Sequence, residues 1–535
     1  MLIKTTAETT IRVIIRFSNR YPYLLLLAWS IPILLLQGND SSLLAHDESY
    51  YATQARWLAE GQDWFIMQWW GTPIYDRAIG LQWLIAISYK LFGRSEITTR
   101  LPNAIASIIS ILLTYSIGKR LLNSKLAFMA ACLLPTMFLW LHNSHVASQD
   151  VILTLIELIG IYALLRVKEI KLNVHKLGFG LLAGVTLGLG FCLKSFMIAL
   201  FPIALLPYIY NQKLWRNSGI YAGIVAGAIL PIAWLWASWW RYGSLPFEQL
   251  FGKLIHLRGS DPNLYNPDNS LIYYFWNLPA NTLPWSILAI AGAFWIWQER
   301  KKFASISLLL GYPLVLFCLL TIFPTRMPYY AIQILPFWSL FTAYALERLA
   351  GKNWFRLSVS ILGLILVIAS SLLTLGIVPT SPQIQPYMLF GFITGITCLG
   401  LYWLKSPHYW QFAILMPIWF AIALAGLSGT FSDRSPEMRI SLQQPAIANI
   451  LKSEVVNFVI QSDLDATDPL VWANNADHAN WLLLSFYTPK LGKEVRTINA
   501  LSPNSYAWLS PKINISEPAI DVIASAQSWQ LVHIK

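Results

Sequence analysis

Residues 21–51 read YPYLLLLAWSIPILLLQGNDSSLLAHDESYY, and the change of character within this stretch decides the fold. Positions 21–36 are apolar and close to the length of a membrane-spanning helix, about 17 to 25 residues. The run closes on Gln37-Gly38-Asn39-Asp40 without a small-residue cleavage pattern, so it is expected to remain as a first span. After it come His46-Asp47-Glu48-Ser49-Tyr50-Tyr51 and then Tyr75-Asp76-Arg77. A carboxylate at the edge of hydrocarbon costs several kcal/mol unless it is solvated, paired or at work, which makes this polar island the first functional-site candidate.

The rest of the chain agrees with a membrane setting. Its 535 residues are 56% hydrophobic and only 12% charged, with a mean hydropathy of +0.51, whereas soluble proteins carry roughly a quarter charged residues. The net charge of +12 is spread in short clusters between apolar runs. That is a topology signal and not a nucleic-acid surface. Cys132, Cys192, Cys318 and Cys398 are scattered singly within apolar segments, which indicates neither a disulfide framework nor a zinc site.

Apolar runs predict thirteen spans: 21–36, 97–118, 126–142, 150–166, 177–193, 196–211, 217–240, 281–298, 303–323, 328–346, 355–378, 387–404 and 409–429. With the N-terminus inside, the clusters Lys4/Arg12/Arg16/Arg20, Lys119/Arg120/Lys125, Arg166/Lys168/Lys171/Lys176, Lys213/Arg216, Arg300/Lys301/Lys302, Arg348/Lys352/Arg356 and Lys405 all fall on the cytoplasmic face. They hold more than half of the 38 Lys and Arg. The segment 79–93 is too short to span and carries Trp83 and Tyr89, so it is expected to be a helix lying in the interface. Residues 1–431 are thus expected to form a transmembrane domain with a first outer loop at 37–96 and a long outer loop at 241–280. Residues 432–535 mix charges with β-prone runs such as 455–460 and 470–472, and are expected to form a small α/β domain outside the membrane.

This topology collects Asp47, Glu48, Asp76, Arg77, His145, Asp150, Lys194, Arg258 and Arg326 at one outer rim. A carboxylate such as Asp47 can take a proton from an attacking hydroxyl or amine, or hold a divalent cation together with Asp76 and Asp150. Lys194 and Arg326 each stand alone between apolar runs, where a fixed positive charge suits a lipid-linked phosphate. Arg77 and Arg258 are further cations of that rim. His46 and His145 read as ordinary hydrogen-bonded loop histidines.

The ordered set His46-Asp47-Glu48-Ser49-Tyr50-Tyr51-Ala52, Gly71-Thr72-Pro73-Ile74-Tyr75-Asp76-Arg77, Leu91-Phe92-Gly93, Thr99-Arg100-Leu101-Pro102, Ser148-Gln149-Asp150, Leu193-Lys194-Ser195, Leu283-Pro284-Trp285 and Arg326-Met327-Pro328-Tyr329-Tyr330 resembles the bacterial aminoarabinose transferases and the related protein O-mannosyltransferase-like enzymes. These are membrane glycosyltransferases of the GT-C fold, families 39 and 83. The resemblance implies an all-α polytopic GT-C membrane domain plus the small outer domain. It also implies inverting transfer of a sugar from a polyprenyl phosphate to an acceptor. By this resemblance Asp47 would be the principal catalytic carboxylate, and Asp76 and Asp150 would help place donor, acceptor or metal. With the residue types read above, the expected site has Asp47, Glu48 and Asp150 as catalytic, Arg77, Lys194, Arg258 and Arg326 on the donor phosphate, and Asp76, Tyr51, Tyr329 and Tyr330 on the substrate. Arg77 stands where the family usually has Lys, Ala78-Ile79 where it often has Pro-Pro, and Ser195-Phe196 where it has Gly-Pro, so the substrate does not carry over.

The expected activity is therefore that of a polyprenyl-phosphate-sugar-dependent glycosyltransferase in a bacterial plasma membrane. Its partners would be the lipid-linked donor, membrane lipids and a lipid, glycan or protein acceptor, with no nucleic acid. The rival reading is a lipid or polysaccharide transporter or flippase, which would place polar groups near the midplane of related halves. No internal repeat is visible in the sequence.

Overall fold

The computed structural model describes residues 20–36, 38, 40–61, 63–259, 270–323, 325–377, 385–403, 410, 414–460, 476–511, 513 and 520–535. Every apolar run read as a span carries helix, from Pro22–Leu35 and Glu96–Leu121 to Asn353–Thr374, Gln385–Gly400 and Leu415–Leu427. By length and composition, Glu96–Leu121, Asn173–Asn211, Ser218–Tyr242 and Asn353–Thr374 can each cross a bilayer. Ser124–Thr136 and Phe138–Ser144 pass the same test only as a pair bent by 65°. The bend falls where Pro135 interrupts the run, since a proline ring removes a helical donor. Helix Glu96–Leu121 starts at a reciprocal cap, with Thr98 N donating to Ser95 Oγ (3.2 Å) and Ser95 N to Thr98 Oγ1 (2.9 Å). Lys4, Arg12, Arg16 and Lys405, expected on the cytoplasmic face, lie outside the described residues.

Glycine determines the closest packing in the bundle. Gly180, Gly184 and Gly188 on Asn173–Lys194 face Gly219, Gly223 and Gly227 on Ser218–Tyr242, and the backbones touch. Such seams hold membrane helices together by close approach, because lipid supplies no hydrophobic drive. A Cβ at Gly188 would stand 1.9 Å from Gly227 O, and backbone cannot rotate away. Gly188→Leu is therefore expected to cost well over ~3 kcal/mol and to abolish monodisperse protein in detergent. Gly178→Leu, with open space around it, should purify and melt as the unmodified chain does.

The segment expected as the first outer loop folds as helix Asp47–Glu60, a hairpin of β1 (Gln68–Trp69) and β2 (Thr72–Pro73), and helix Gly80–Phe92. The last buries Leu81, Ile85 and Tyr89 and exposes Leu84, Ile87, Leu91 and Phe92, an apolar outer face suited to the interface expected for 79–93.

The tail forms a mixed sheet of β3 (Val456–Val459), β4 (Leu491–Val495), β5 (Ser505–Leu509), β6 (Ile520–Ala526) and β7 (Trp529–Ile534) in the order β4-β3-β5-β7-β6. β3 runs parallel to β4 and β5, and β7 antiparallel to β5 and β6. The expected strand at 455–460 is β3; residues 470–472 lie outside the described part. Tail helix Ala476–Tyr487 packs on helix Asp47–Glu60. Arg56, fully buried, donates to Ser485 O (2.8 Å), Thr488 O (2.7 Å) and Pro489 O (2.8 Å), placing a cation at that helix's negative end.

Candidate active site

Helix Asp47–Glu60 begins directly after His46, which closes a turn with a φ of 67°. Asp47 and Glu48 share that turn but point to opposite environments. The Asp47 side chain is 51% exposed, and its Oδ1 lies 3.7 Å from Arg77 Nη1. Arg77 Nε donates to Asp76 Oδ2 (3.2 Å), and Tyr50 Oη donates to Asp76 Oδ1 (2.8 Å). The guanidinium rests over the rings of Tyr50 and Tyr51 at 4.5 and 4.8 Å. Burial works against charge on Arg77, yet Tyr51, Asp76, Tyr50 and Asp47 outweigh it and hold the group more basic than usual. Burial also pushes the Tyr50 hydroxyl well up, and Asp76 adds to the shift, so it is a hydrogen-bond donor and not a base.

A second cluster comes from the bundle. Lys194, the last residue of Asn173–Lys194, is ion-paired with Asp150 in the first turn of Gln149–Glu169. Its ammonium sits 4.4 Å from the ring centroid of Tyr330 and 5.4 Å from that of Tyr329. The helix stops because Ser195 takes φ 51°, the left-handed region glycine favours. Tyr329 and Tyr330 stand on a short 3-10 turn, Pro328–Ile334, braced by Tyr274 Oη donating to Met327 O (2.8 Å). The two clusters meet there: Tyr329 lies within the fields of Asp47, Asp150 and Tyr51, and Tyr330 within those of Asp150, Asp47 and Arg77. Asp47, Asp76, Arg77, Tyr51, Asp150, Lys194, Tyr329 and Tyr330 are thus one neighbourhood.

Several expectations need correction. Lys194 does not stand alone, because Asp150 neutralises it. Nor does Arg326, which is buried with Nε donating to Thr321 O (2.8 Å), near the C-terminal end of Tyr312–Ile322. Glu48, expected as a catalytic acid, is fully buried and points away from the cluster. Its oxygens accept from Arg100 Nε and Nη2 (both 2.7 Å), Leu44 N (2.8 Å) and Ala147 N (3.0 Å). The metal set does not assemble either. Arg77 stands between Asp47 and Asp76, Lys194 occupies Asp150, and among the described residues no three His, Cys, Asp or Glu are placed to hold a cation. The side chain of Arg258 lies outside the described residues. His145 is buried with Nδ1 2.8 Å from Leu141 O, the ordinary hydrogen-bonded role expected for it.

Sequence reasoning passed over Glu157, a buried carboxyl inside the run 150–166 whose Oε2 accepts from Tyr312 Oη (3.3 Å) while Oε1 has no partner. Its spacing of seven from Asp150 puts both on one helix face, which a face-by-face reading would have found.

Residues 76–237 match the family described as dolichyl-phosphate-mannose-protein mannosyltransferase. The chain is 26% identical over 468 residues to an undecaprenyl phosphate-alpha-4-amino-4-deoxy-L-arabinose arabinosyl transferase of Pseudomonas aeruginosa, which covers 84% of this chain and 82% of that protein. A protein of the same name from Edwardsiella ictaluri is 22% identical over 452 residues, 80% of this chain and 79% of its own. Crystal structures of ArnT from Cupriavidus metallidurans, one in the apo state and one bound to undecaprenyl phosphate, superpose with a TM-score of 0.72 at 17% identity, over 95% of this chain and 97% of that one. The resemblance read from the residues points to the same proteins, and the chain shares the fold of these ArnT structures.

Proposed function

We propose that the chain is a polyprenyl-phosphate-sugar-dependent glycosyltransferase whose reaction centre is the neighbourhood of Asp47, Arg77, Lys194 and Tyr329. The observation that carries this reading is the pairing of acids with cations over tyrosine faces at the point where the outer loop meets the bundle. The donor is a phosphodiester. Its C1–O bond to phosphate breaks as the acceptor oxygen or nitrogen bonds C1 from the opposite face, with inversion through an oxocarbenium-like transition state. The acceptor's proton passes to Asp47, which is open to solvent. The departing phosphate gains charge, which Lys194 and Arg77 stabilise. Asp76 fixes Arg77 and Tyr50, while Tyr51, Tyr329 and Tyr330 line the sugar. Glu48 belongs to the scaffold in this reading. The centre faces the outside of the plasma membrane, with the N-terminus cytoplasmic and the tail beside the site. The names of the relatives favour undecaprenyl phosphate as the carrier lipid; the transporter reading receives no support from them.

Purified protein incubated with radiolabelled undecaprenyl-phosphate sugars and membrane extract should move label into a non-carrier product. Failure with every donor, in protein that binds undecaprenyl phosphate, would overturn the transferase reading. Lys194→Ala should lower turnover at fixed donor by about tenfold or more, with Lys194→Arg recovering part. Unchanged donor kinetics in the alanine variant would make Lys194 a structural partner of Asp150 only.

A further inference from the structure

The Asp47–Arg77 pair sits in a closed ring of contacts, two members of which belong to the tail. Arg77 lies over Tyr50 at 4.5 Å. Tyr50 packs on Trp69 with ring centroids 5.3 Å apart, and Trp69 stacks on Trp481 of helix Ala476–Tyr487 at 5.4 Å and 29°. Trp481 meets His478 edge-on at 5.4 Å, and His478 stacks on His46 at 6.1 Å and 11°. His46 precedes Asp47 in the chain, and Asp47 reaches back to Arg77. The circuit is closed, and only Trp481 and His478 lie outside the first outer loop.

His46 is the weak point of this ring. A side chain with a Cβ at φ 67° and ψ −91° occupies sparsely populated backbone, which persists only where surroundings enforce it. The His46 side chain caps nothing, and the turn's own hydrogen bonds, Leu44 N to Glu48 Oε2 (2.8 Å) and Ser49 N to Leu44 O (3.1 Å), hold the backbone on either side of His46 but leave its ring to be placed by what packs on it. What covers the His46 ring is His478, itself buried and held by Trp481. The peptide between His46 and Asp47 aims the carboxylate, so the tail helix has leverage on the reacting atom over a single residue. Errors of about 1 Å in such groups can cost 10²-fold in rate.

We propose that His478 and Trp481 are positioning residues, through which the tail fixes the backbone at His46 and hence the aim of Asp47. The inference rests on the reading of Asp47 as the base. The tail is then part of the catalytic unit, not an appendage that meets the acceptor separately. Arg56, which donates to three carbonyls at the end of the same tail helix, anchors that helix one turn beyond the ring.

The test is a double-mutant cycle in full-length protein, with each variant's active fraction normalised by its stoichiometry for undecaprenyl phosphate. His478→Ala should lower kcat roughly tenfold while leaving the donor KM within about twofold, and His478→Phe, which keeps a stacking ring, should restore most of it. In an Asp47→Asn background the same His478→Ala should cost nothing further, because a residue acting only through Asp47 has nothing left to position. If the loss from His478→Ala persists in full in that background, the inference falls and His478 is merely structural. Near-normal transfer by Asp47→Asn alone would instead overturn the assignment of the base. Should His478→Ala fail to fold, Trp481→Leu, which removes the ring that holds His478, closes the same cycle, and its cost should likewise vanish in the Asp47→Asn background.

Discussion

Asp47→Asn is expected to lose roughly 10²-fold or more in turnover while expression, melting temperature and donor affinity stay close to those of the unmodified protein. The substitution keeps the shape and the capacity to accept hydrogen bonds but removes the charge. Structure would notice little, because the Asp47 side chain is half exposed and its contact with Arg77 is long, 3.7 Å. A long pair with one partner half in solvent contributes on the order of 1 kcal/mol or less. Arg77 keeps its closer partner Asp76 and its place over Tyr50 and Tyr51. Chemistry would notice a great deal, because an amide cannot accept the acceptor's proton as C1 is attacked. The measurement is initial rate against donor concentration with a radiolabelled donor, beside a thermal melt of the same preparation. Near-normal transfer would remove Asp47 from the reaction. A matching loss of melting temperature would make it a structural residue.

The helices were legible because each is a local property: an uninterrupted apolar run of membrane length announces itself within a window of about twenty residues. The short helix at Gly80–Phe92 stands where the sequence placed one, between the long apolar runs. The number of crossings was less legible, since Ser286–Gln298 and Leu415–Leu427 are shorter than the runs that suggested them. The site was half legible. Its members could be gathered at one rim by charge and topology, and Asp47, Asp76, Arg77, Asp150, Lys194, Tyr329 and Tyr330 do converge. Their pairings could not be read, because Lys194 and Asp150 are 44 residues apart and nothing local says that one neutralises the other. Glu48 misled for the same reason. Two adjacent acids look alike in sequence, but successive residues on a helix face directions about 100° apart, so one reached solvent and the other the core. Arg100 lies inside the run 97–118 read as a span, where a guanidinium demands an acid somewhere; that demand was the available signal.

Arg100→Ala is the second large expected effect, this time on stability. The Glu48–Arg100 pair ties three distant pieces together. Arg100 donates both Nε and Nη2 to Glu48, Nη2 to Ser42 O (2.7 Å) and Nη1 to Ser432 O (2.8 Å), so helix Glu96–Leu121, the start of the outer loop and the junction to the tail converge on one guanidinium. Burial alone would raise the Glu48 carboxyl, but the charge and hydrogen bonds of Arg100, with Leu44 N and Ala147 N, outweigh it and hold the group below its ordinary value. Removing Arg100 leaves a fully buried carboxylate without its counter-ion, which typically costs 3–5 kcal/mol. Detergent-purified Arg100→Ala should therefore melt far below the unmodified protein or fail to purify as a single species. Glu48→Gln should be destabilised as well, since it leaves the guanidinium unbalanced. The double variant Glu48→Gln/Arg100→Gln should recover part of the loss, because no unpaired charge remains. The pH dependence has a definite sign: a carboxyl whose folded value is depressed contributes stability above the unfolded value of about 4.3 and loses it as pH falls through the folded value. Acidifying below about 4 should thus narrow the gap between the unmodified protein and the double variant. An Arg100→Ala protein that melts like the parent would show that the pair is incidental and that the junction is held by its other contacts, among them Ser42 N donating to Ser432 O (3.0 Å) and Ser435 N donating to Ser42 Oγ (2.7 Å).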